Sequence, residues 1–371
     1  MKICFLTFSR ARNYGAVLQT YATYRYLKSL GNEVTLVDYL TERYDIYKPD
    51  YPKTFLSRSH KWGKNIFTRF IWKNVIYKNV LKSHKLFWDF IEKNIPISPT
   101  FYNETELKDF CKDFDCAISG SDQIWNTDFT KDNKPDRPYF LSFADKGMKK
   151  LAYSSSFGKA TLEDTEKGEI EELLSEYDRI FVREKSGKEI VEDLGLKAEV
   201  ILDPTLICDK KIWEELAGDR IYAKPYLLLF QIFPNGRRLK LAEKVAKQKG
   251  LKLIVVAPYS MDKYKIKHKV VCLPEISEWL SYFKYADFIM TDSFHATAFS
   301  VIFERDFAVD ANVSYNGRMK TLLDSLDLSE RMYENTLSAD ILDKGIDYSE
   351  VSGKLAVIQE RSRTYINDAL K

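Results

Sequence analysis

The side chains best suited to chemistry follow an apolar run near residue 290. Residues 287–290 have the pattern of a buried strand, and residues 296–303 that of a helix. The polar turn Thr291-Asp292-Ser293-Phe294-His295 connects them, and open α/β sheets bind ligands at such carboxyl ends of strands. Helix N-terminal amides there attract anions, and an imidazole exchanges protons near neutral pH. We therefore predict that His295 acts on an anionic ligand; the alternative is a core histidine bonded to Asp292.

A second polar turn, Gly120-Ser121-Asp122-Gln123-Ile124-Trp125-Asn126, follows a predicted strand at 114–119. It places hydroxyl, amide and carboxylate groups around one aromatic ring, a set that suits a sugar. The alternative gives Asp122 a capping role and Trp125 a core role. We predict sugar contacts from Ser121, Asp122, Gln123, Trp125 and Asn126.

Polar residues also follow four other predicted strands and the strand region that precedes residue 315. Arginine binds carboxylate or phosphate in a bidentate manner, which makes Arg183 and Arg318 candidates for an anion site. The alternative for Arg183 is a surface ion pair with Glu184. The alternative for Arg318 is helix capping or a surface salt bridge. Asp203-Pro204-Thr205 is expected to be a structural turn. The loop at 10–16 and the turn at 153–158 contribute Asn13, Tyr14 and Ser155 as further ligand-binding candidates.

The composition describes a globular protein of two domains. The chain has 371 residues, 45% of them hydrophobic, and a net charge of +3 that does not argue for nucleic acid. Its five cysteines are scattered, so we expect neither a disulfide framework nor a metal site. We expect a cytoplasmic protein, because free thiols fit a reducing compartment and neither a signal peptide nor a membrane span is recognisable.

Strand and helix patterns alternate in both halves, which is typical of parallel α/β layers. The fold class predicted is α/β, with two doubly wound domains facing a cleft, at 1–208 and 209–371. A terminal helix near 354–370 is free to pack on either domain. Strands are predicted at 2–8, 33–38, 114–119, 150–153, 179–182, 199–202, 226–231, 251–257 and 287–290, and helices at 15–30, 237–249 and 276–285.

A basic, aromatic insertion near 51–95 departs from this pattern. Residues 51–88 contain nine basic and nine aromatic side chains but no Asp or Glu. We favour helices that pack their apolar face on the first domain and leave a solvated basic side. The alternative is a basic amphipathic helix that rests on an anionic membrane surface.

Taken together, these segments resemble the polysaccharide pyruvyl transferase family over roughly residues 1–325. Each motif is modest, but their ordered set is specific. The resemblance is carried by Asn13-Tyr14-Gly15-Ala16-Val17-Leu18-Gln19, Gly120-Ser121-Asp122-Gln123-Ile124-Trp125-Asn126, Tyr153-Ser154-Ser155-Ser156-Phe157-Gly158, Val182-Arg183-Glu184, Asp203-Pro204-Thr205 and Thr291-Asp292-Ser293-Phe294-His295.

The resemblance implies a glycosyltransferase-B-like pair of Rossmann domains. It also implies transfer of pyruvate from phosphoenolpyruvate, as donor substrate, onto a sugar as a ketal, with no metal and no cofactor. The acceptor is expected to be a nucleotide-linked or lipid-linked sugar or a growing glycan. His295 and Asp122 are the catalytic candidates, and donor contacts are assigned to Arg183, His295, Ser293 and Arg318. Acceptor contacts are assigned to Asn13, Tyr14, Ser121, Asp122, Gln123, Trp125, Asn126 and Ser155.

Two other functions fit the same pattern. A glycosyltransferase that uses a nucleotide sugar also needs two Rossmann domains, and a non-catalytic glycan-binding protein keeps such a fold without transfer. Because fold alone does not determine function, the motif set carries the choice of reaction.

Overall fold

The computed structural model describes residues 1–48, 51–59, 61, 64–257, 268–311 and 316–371. They divide into two compact units, which consist of residues 1–157 with 163–179 and of residues 158–162 with 180–371. The domain limits from the sequence, 1–208 and 209–371, stay a prediction.

The first unit contains a parallel sheet with the strand order β3-β2-β1-β4-β5. Its apolar strands are buried, as is usual when helices cover a parallel sheet on both faces. The strands are β1 (Lys2–Leu6), β2 (Glu33–Tyr39), β3 (Ile97–Phe101), β4 (Cys116–Ser119) and β5 (Lys149–Ser155). The helices are α1 (Tyr14–Ser29), α2 (Tyr51–Arg58), α3 (Ile66–Ile71), α4 (Lys78–Asn94), α5 (Glu104–Cys111) and α6 (Asp164–Ser175), with a π-helical turn at Trp72–Tyr77.

The second unit contains the parallel pair β6 (Arg179–Val182) and β7 (Glu199–Val200) and a six-stranded parallel sheet of order β10-β9-β8-β11-β12-β13. The strands of that sheet are β8 (Tyr226–Phe230), β9 (Lys252–Ala257), β10 (Lys269–Cys272), β11 (Phe288–Thr291), β12 (Phe307–Asp310) and β13 (Met332–Tyr333). The helices are α7 (Lys185–Asp193), α8 (Pro204–Ile207), α9 (Lys210–Leu216), α10 (Gly236–Gln248), α11 (Ile276–Lys284), α12 (Phe294–Ile302), α13 (Gly317–Ser325), α14 (Ala339–Asp343) and α15 (Tyr348–Leu370).

The terminal helix α15 packs on the segment around α8. Gln359 Nε2 donates to the carbonyl oxygen of Leu206 at 2.6 Å, and Ser362 Oγ accepts from the amide of Leu202 at 3.2 Å. The sequence left the partner of this helix open, and the structure assigns it to residues 202–207.

Three chemical features bear on function. Among the described residues, no helix has the length and apolar character needed to span a bilayer. In the same part of the chain, no group of three or more His, Cys, Asp or Glu side chains is arranged to hold a metal ion. The five cysteines are free thiols, and four of them are buried.

Candidate active site

Three segments of the second unit bring Arg183, Asp203 and His295 together. Arg183 follows β6, Asp203 caps the N-terminus of α8, and His295 lies in the first turn of α12. Asp203 Oδ2 accepts a hydrogen bond from Arg183 Nη1 at 2.8 Å and lies 3.7 Å from His295 Nε2. Because 3.7 Å exceeds a hydrogen-bond length, the contact with His295 is electrostatic. One buried carboxylate therefore contacts both the arginine and the histidine.

The surroundings of Asp203 keep its carboxylate ionised. The side chain is fully buried, and its Oδ1 accepts from the amide and hydroxyl of Thr205 at 3.0 and 2.6 Å. Burial alone raises the pKa of Asp203, but His295, Arg183 and Thr205 outweigh it and lower that pKa well below its usual range. The expected structural turn is present, since Asp203 caps α8, and the same carboxylate is also part of the candidate site.

The ring of Phe294 contacts two guanidinium groups. The Cζ atoms of Arg183 and Arg318 lie 4.8 and 5.9 Å from its centroid. Arg183 is only 3% exposed, whereas Arg318 is partly exposed in the first turn of α13. Arg318 is therefore the more accessible of the two to a ligand, and Arg183 is placed to orient Asp203. The donor-binding roles assigned to both stay predictions.

Asp292 does not bind His295 but fixes the loop after β8. Its carboxylate accepts from the amides of Ile232 at 2.7 Å and Phe233 at 3.1 Å, and from Arg238 Nη1 at 2.9 Å. Arg238 Nε donates to Asp310 at 2.9 Å, so this arginine joins two buried carboxylates. Neither Arg238 nor Asp310 was predicted from the sequence. Their only signal was a charged residue beside an apolar strand or in a helix's first turn, which is too common to single them out.

The polar turn after β4 is compact, and Asp122 is in an unusual backbone conformation. Its φ of 84° lies in the left-handed region that non-glycine residues rarely adopt. Asp122 Oδ1 accepts from the amide of Gln123 at 2.8 Å, and its carbonyl oxygen accepts from the amide of Ser156 at 3.0 Å. Asp122 and Gln123 are both partly exposed, so their side chains remain accessible to a ligand.

Besides Asn126, four predicted acceptor residues are buried in the first unit. Trp125 is 1% exposed and donates from Nε1 to the carbonyl oxygen of Tyr139 at 3.1 Å, so it has the core role and is not an accessible platform. Ser155 Oγ donates to the carbonyl oxygens of Ser119 and Gly120 at 3.1 and 3.0 Å, which ties β5 to the turn. Tyr14 and Ser121 are fully buried as well. These four side chains support the site and are not open to a sugar.

The remaining acceptor candidates are at accessible positions or at a pocket. Asn13 is partly exposed and caps α1 by accepting from the amide of Gly15 at 2.8 Å. Asn126 is only 2% exposed, but it borders a pocket of about 510 Å³ within the first unit, a volume typical of ligand sites. Other side chains that line it are Phe8, Tyr39, Ile124, Phe129 and Tyr139.

Comparisons with known proteins agree with the fold and with the motif set. A family model described as polysaccharide pyruvyl transferase matches residues 13–309. No curated protein matches the sequence.

Solved structures with the same fold include two sugar-nucleotide epimerases. The UDP-N-acetylglucosamine 2-epimerase of Rickettsia bellii has a TM-score of 0.54 at 10% identity, over 99% of this chain and 98% of that one. The Neisseria meningitidis UDP-GlcNAc 2-epimerase, bound to UDP-GlcNAc, has a TM-score of 0.52 at 11% identity, with both chains covered fully. The predicted α/β fold with two Rossmann-like, glycosyltransferase-B-like domains is confirmed.

Proposed function

The chain belongs to the polysaccharide pyruvyl transferase family, and we propose that this transferase moves pyruvate from phosphoenolpyruvate onto a sugar. The product is a ketal on a cell-surface polysaccharide or its precursor. The observation that carries this proposal is the contact of one buried, ionised carboxylate, Asp203, with both Arg183 and His295. Such a carboxylate fixes the positions of the histidine and the arginine.

The donor brings a carboxylate and a phosphate, and the second unit supplies groups for both. Arg318 is a partly exposed residue, and its guanidinium Cζ lies 5.9 Å from the centroid of the Phe294 ring. The first amides of α12 have no acceptor within that helix, and they carry the positive end of its dipole. Ser293 caps this helix by accepting from the amide of Ala296 at 3.4 Å, so the role proposed for it is to present those amides.

His295 is the proposed general acid. Its Nε2 is buried, has no hydrogen-bond partner among the described residues, and lies 3.7 Å from Asp203 Oδ2. Protonation of the methylene carbon of phosphoenolpyruvate leaves a cationic centre at C2, which one sugar hydroxyl attacks. Phosphate then leaves with the C–O bonding electrons, and a second hydroxyl closes the ketal and loses its proton. Asp122 is the proposed base for an acceptor hydroxyl.

Calorimetric titration with phosphoenolpyruvate tests the donor site. We expect saturable binding to the wild-type protein and affinity at least about tenfold lower for Arg318→Ala, because a hydrogen bond between charged groups is lost. Arg220→Ala is the matched control, since Arg220 also lies 5.9 Å from an aromatic centroid, that of Tyr285. Wild-type protein that binds no phosphoenolpyruvate, but whose melting temperature rises with nucleotide sugars, would contradict the donor assignment.

The pocket of the first unit is the proposed acceptor site. Tyr39 and Phe129 present partly exposed rings to it, and aromatic rings pack against the apolar faces of sugars. Asn126 and Asp136 border the same pocket and supply polar groups for hydroxyls. The acceptor itself is proposed to be linked to a nucleotide or a lipid, and the enzyme to work in the cytoplasm, at the inner membrane face.

Replacing Phe129 with alanine tests this pocket. We expect the KM for the sugar acceptor to rise about tenfold, since burial of an aromatic side chain contributes about 1.5–3 kcal/mol, while the KM for phosphoenolpyruvate stays unchanged. Tyr102→Ala is the control, because Tyr102 is an exposed aromatic residue of the same unit outside the pocket. An unchanged acceptor KM in Phe129→Ala would remove the pocket from the proposal. Release of phosphate from phosphoenolpyruvate measures both constants.

A further inference from the structure

Exposed apolar side chains are concentrated on one short helical run of the first unit. Eleven large apolar side chains are exposed in the described part of the chain, and five of them lie between residues 66 and 81. Ile66, Phe67 and Phe70 are exposed by 87%, 68% and 63%, and Val75 and Leu81 are also exposed. A cluster of this kind marks an interaction surface, because monomeric proteins rarely expose contiguous apolar patches.

Helical spacing places the largest of these residues near one another. Ile66 and Phe70 are four positions apart within α3, and Phe67 and Phe70 are three positions apart, so each pair lies on one side of the helix. The π-helical turn Trp72–Tyr77 follows directly and continues into α4. Val75, which is also exposed, lies within this π-helical turn.

Other side chains of the same run attach it to the first unit. Trp72 is 5% exposed and stacks on Phe55, with ring centroids 4.6 Å apart. Farther along α4, Phe87 is buried against Tyr14 at a centroid distance of 4.9 Å. Trp72 and Phe87 therefore fix the run to the first unit. The apolar face expected to pack on the first domain included Phe67, Phe70, Val75 and Leu81, and for these four the expectation is wrong, because they remain exposed.

The charged side chains between residues 64 and 82 all have the same sign. Lys64, Lys73, Lys78 and Lys82 are all exposed along the same run. Residues 51–88 contain no Asp or Glu, so no carboxylate within this segment offsets these ammonium groups. An apolar cluster among basic residues is complementary to an anionic lipid bilayer, which has negative headgroups at its surface and hydrocarbon beneath them.

We infer that residues 64–82 form a membrane-docking surface that binds reversibly to bilayers containing anionic lipids. Ile66, Phe67 and Phe70 enter the interfacial region, and the four lysines contact the headgroups. The docking surface brings the enzyme to membrane-carried acceptors, but its binding needs neither donor nor sugar. Its test is therefore independent of the proposed reaction.

Two other occupants fit the docking surface less well. A second copy of the chain would oppose lysines with lysines, because the same basic surface faces itself across a symmetric interface. Nucleic acid would pair with the lysines but gives no reason for aliphatic side chains such as Ile66 and Val75. Both remain outcomes that the experiment distinguishes.

Flotation of the purified protein with lipid vesicles tests the inference. We expect it to float with vesicles of phosphatidylglycerol and phosphatidylcholine and not with phosphatidylcholine alone. The double variant Phe67→Ser/Phe70→Ser is expected to bind at least about tenfold more weakly, and Lys73→Glu/Lys78→Glu similarly. Ile221→Ser/Val357→Ser is the matched control, since it also removes two exposed apolar side chains, from the second unit. All variants change exposed residues, and melting temperature verifies that they fold.

Three results would overturn the inference. The first is absence of binding to anionic vesicles, or equal loss of binding in the control. The second is a concentration-dependent dimer, seen by light scattering without lipid, that dissociates in Phe67→Ser/Phe70→Ser. The third is a pair of results: the protein does not float with vesicles, and it binds an oligonucleotide in a way that depends on the lysines.

Discussion

Replacing His295 with alanine is expected to reduce pyruvyl transfer by about 10²–10⁴-fold, the usual contribution of a general acid. The imidazole, whose Nε2 lies 3.7 Å from the buried Asp203 carboxylate, is the proposed proton donor. Alanine cannot donate a proton in its place. The fold should survive, because Arg183 still binds Asp203 at 2.8 Å when the ring is absent. Single-turnover release of phosphate from phosphoenolpyruvate measures the loss.

His268→Ala is the control for this experiment. His268 lies in the same unit, is partly exposed, and contacts Glu243 at 2.9 Å, away from the candidate site. We expect full activity and an unchanged melting temperature in this variant. If His295→Ala transferred pyruvate at the wild-type rate, the general-acid assignment would be wrong. A loss of activity with a collapsed melting temperature would instead assign His295 a structural role.

Replacing Asp203 with asparagine is expected to have the largest effect on stability. The substitution leaves the Arg183 guanidinium buried beside a neutral amide, and breaking a buried ion pair in this way costs about 3–5 kcal/mol. The capping acceptor is kept, because an asparagine oxygen also accepts from the amide of Thr205. Urea unfolding at neutral pH measures the difference. Transfer should fall as well, since His295 loses its neighbouring negative charge.

Acid should reveal the same carboxylate in the wild-type protein. The pKa of Asp203 is lower in the folded state than its ordinary value of 3.8, so below that pH the unfolded chain binds a proton that the folded chain does not. The contribution of Asp203 is therefore fully present above about pH 4 and is lost as the pH falls toward the folded-state pKa. In Asp203→Asn this part of the acid dependence should be absent.

Asp209→Asn is the matched control for the aspartate. Asp209 also caps a helix, accepting from the amide of Lys211 at 2.8 Å, but it is exposed. Asparagine caps as well as aspartate, so stability should change by less than about 0.5 kcal/mol. Equal destabilisation by the two substitutions would mean that the Arg183–Asp203 pair adds nothing beyond the cap.

Most elements of the fold could be predicted because their periodicity is local. The predicted strand at 179–182 coincides with Arg179–Val182, and the helix predicted at 15–30 is found at Tyr14–Ser29. The strand Ile97–Phe101 was missed. It contains Pro99 and lies at the edge of the sheet, where fewer ladder hydrogen bonds allow a weak strand pattern.

Burial, by contrast, could not be derived for single polar residues. Trp125 and Ser155 are residue types that suit a sugar site, yet both are buried and donate hydrogen bonds to backbone carbonyls. Phe67 and Phe70 have the residue type and spacing of a packed helix face, yet both are exposed. In each case the residue type is compatible with either environment, and contacts from distant segments decide between them.

The sequence by itself determined the parallel α/β architecture, the family and the strand ends at which polar groups collect. Hydrophobic periodicity and ordered motifs are properties of neighbouring residues, so one chain is enough to recognise them. Only the tertiary structure showed that Asp203 joins Arg183 and His295, and that Asp292 binds Arg238 instead of the histidine. The partners of Asp203 lie 20 and 92 residues away along the chain, so folding brings these charged groups together. Because a buried charge without a partner is costly, burial restricts which groups can pair.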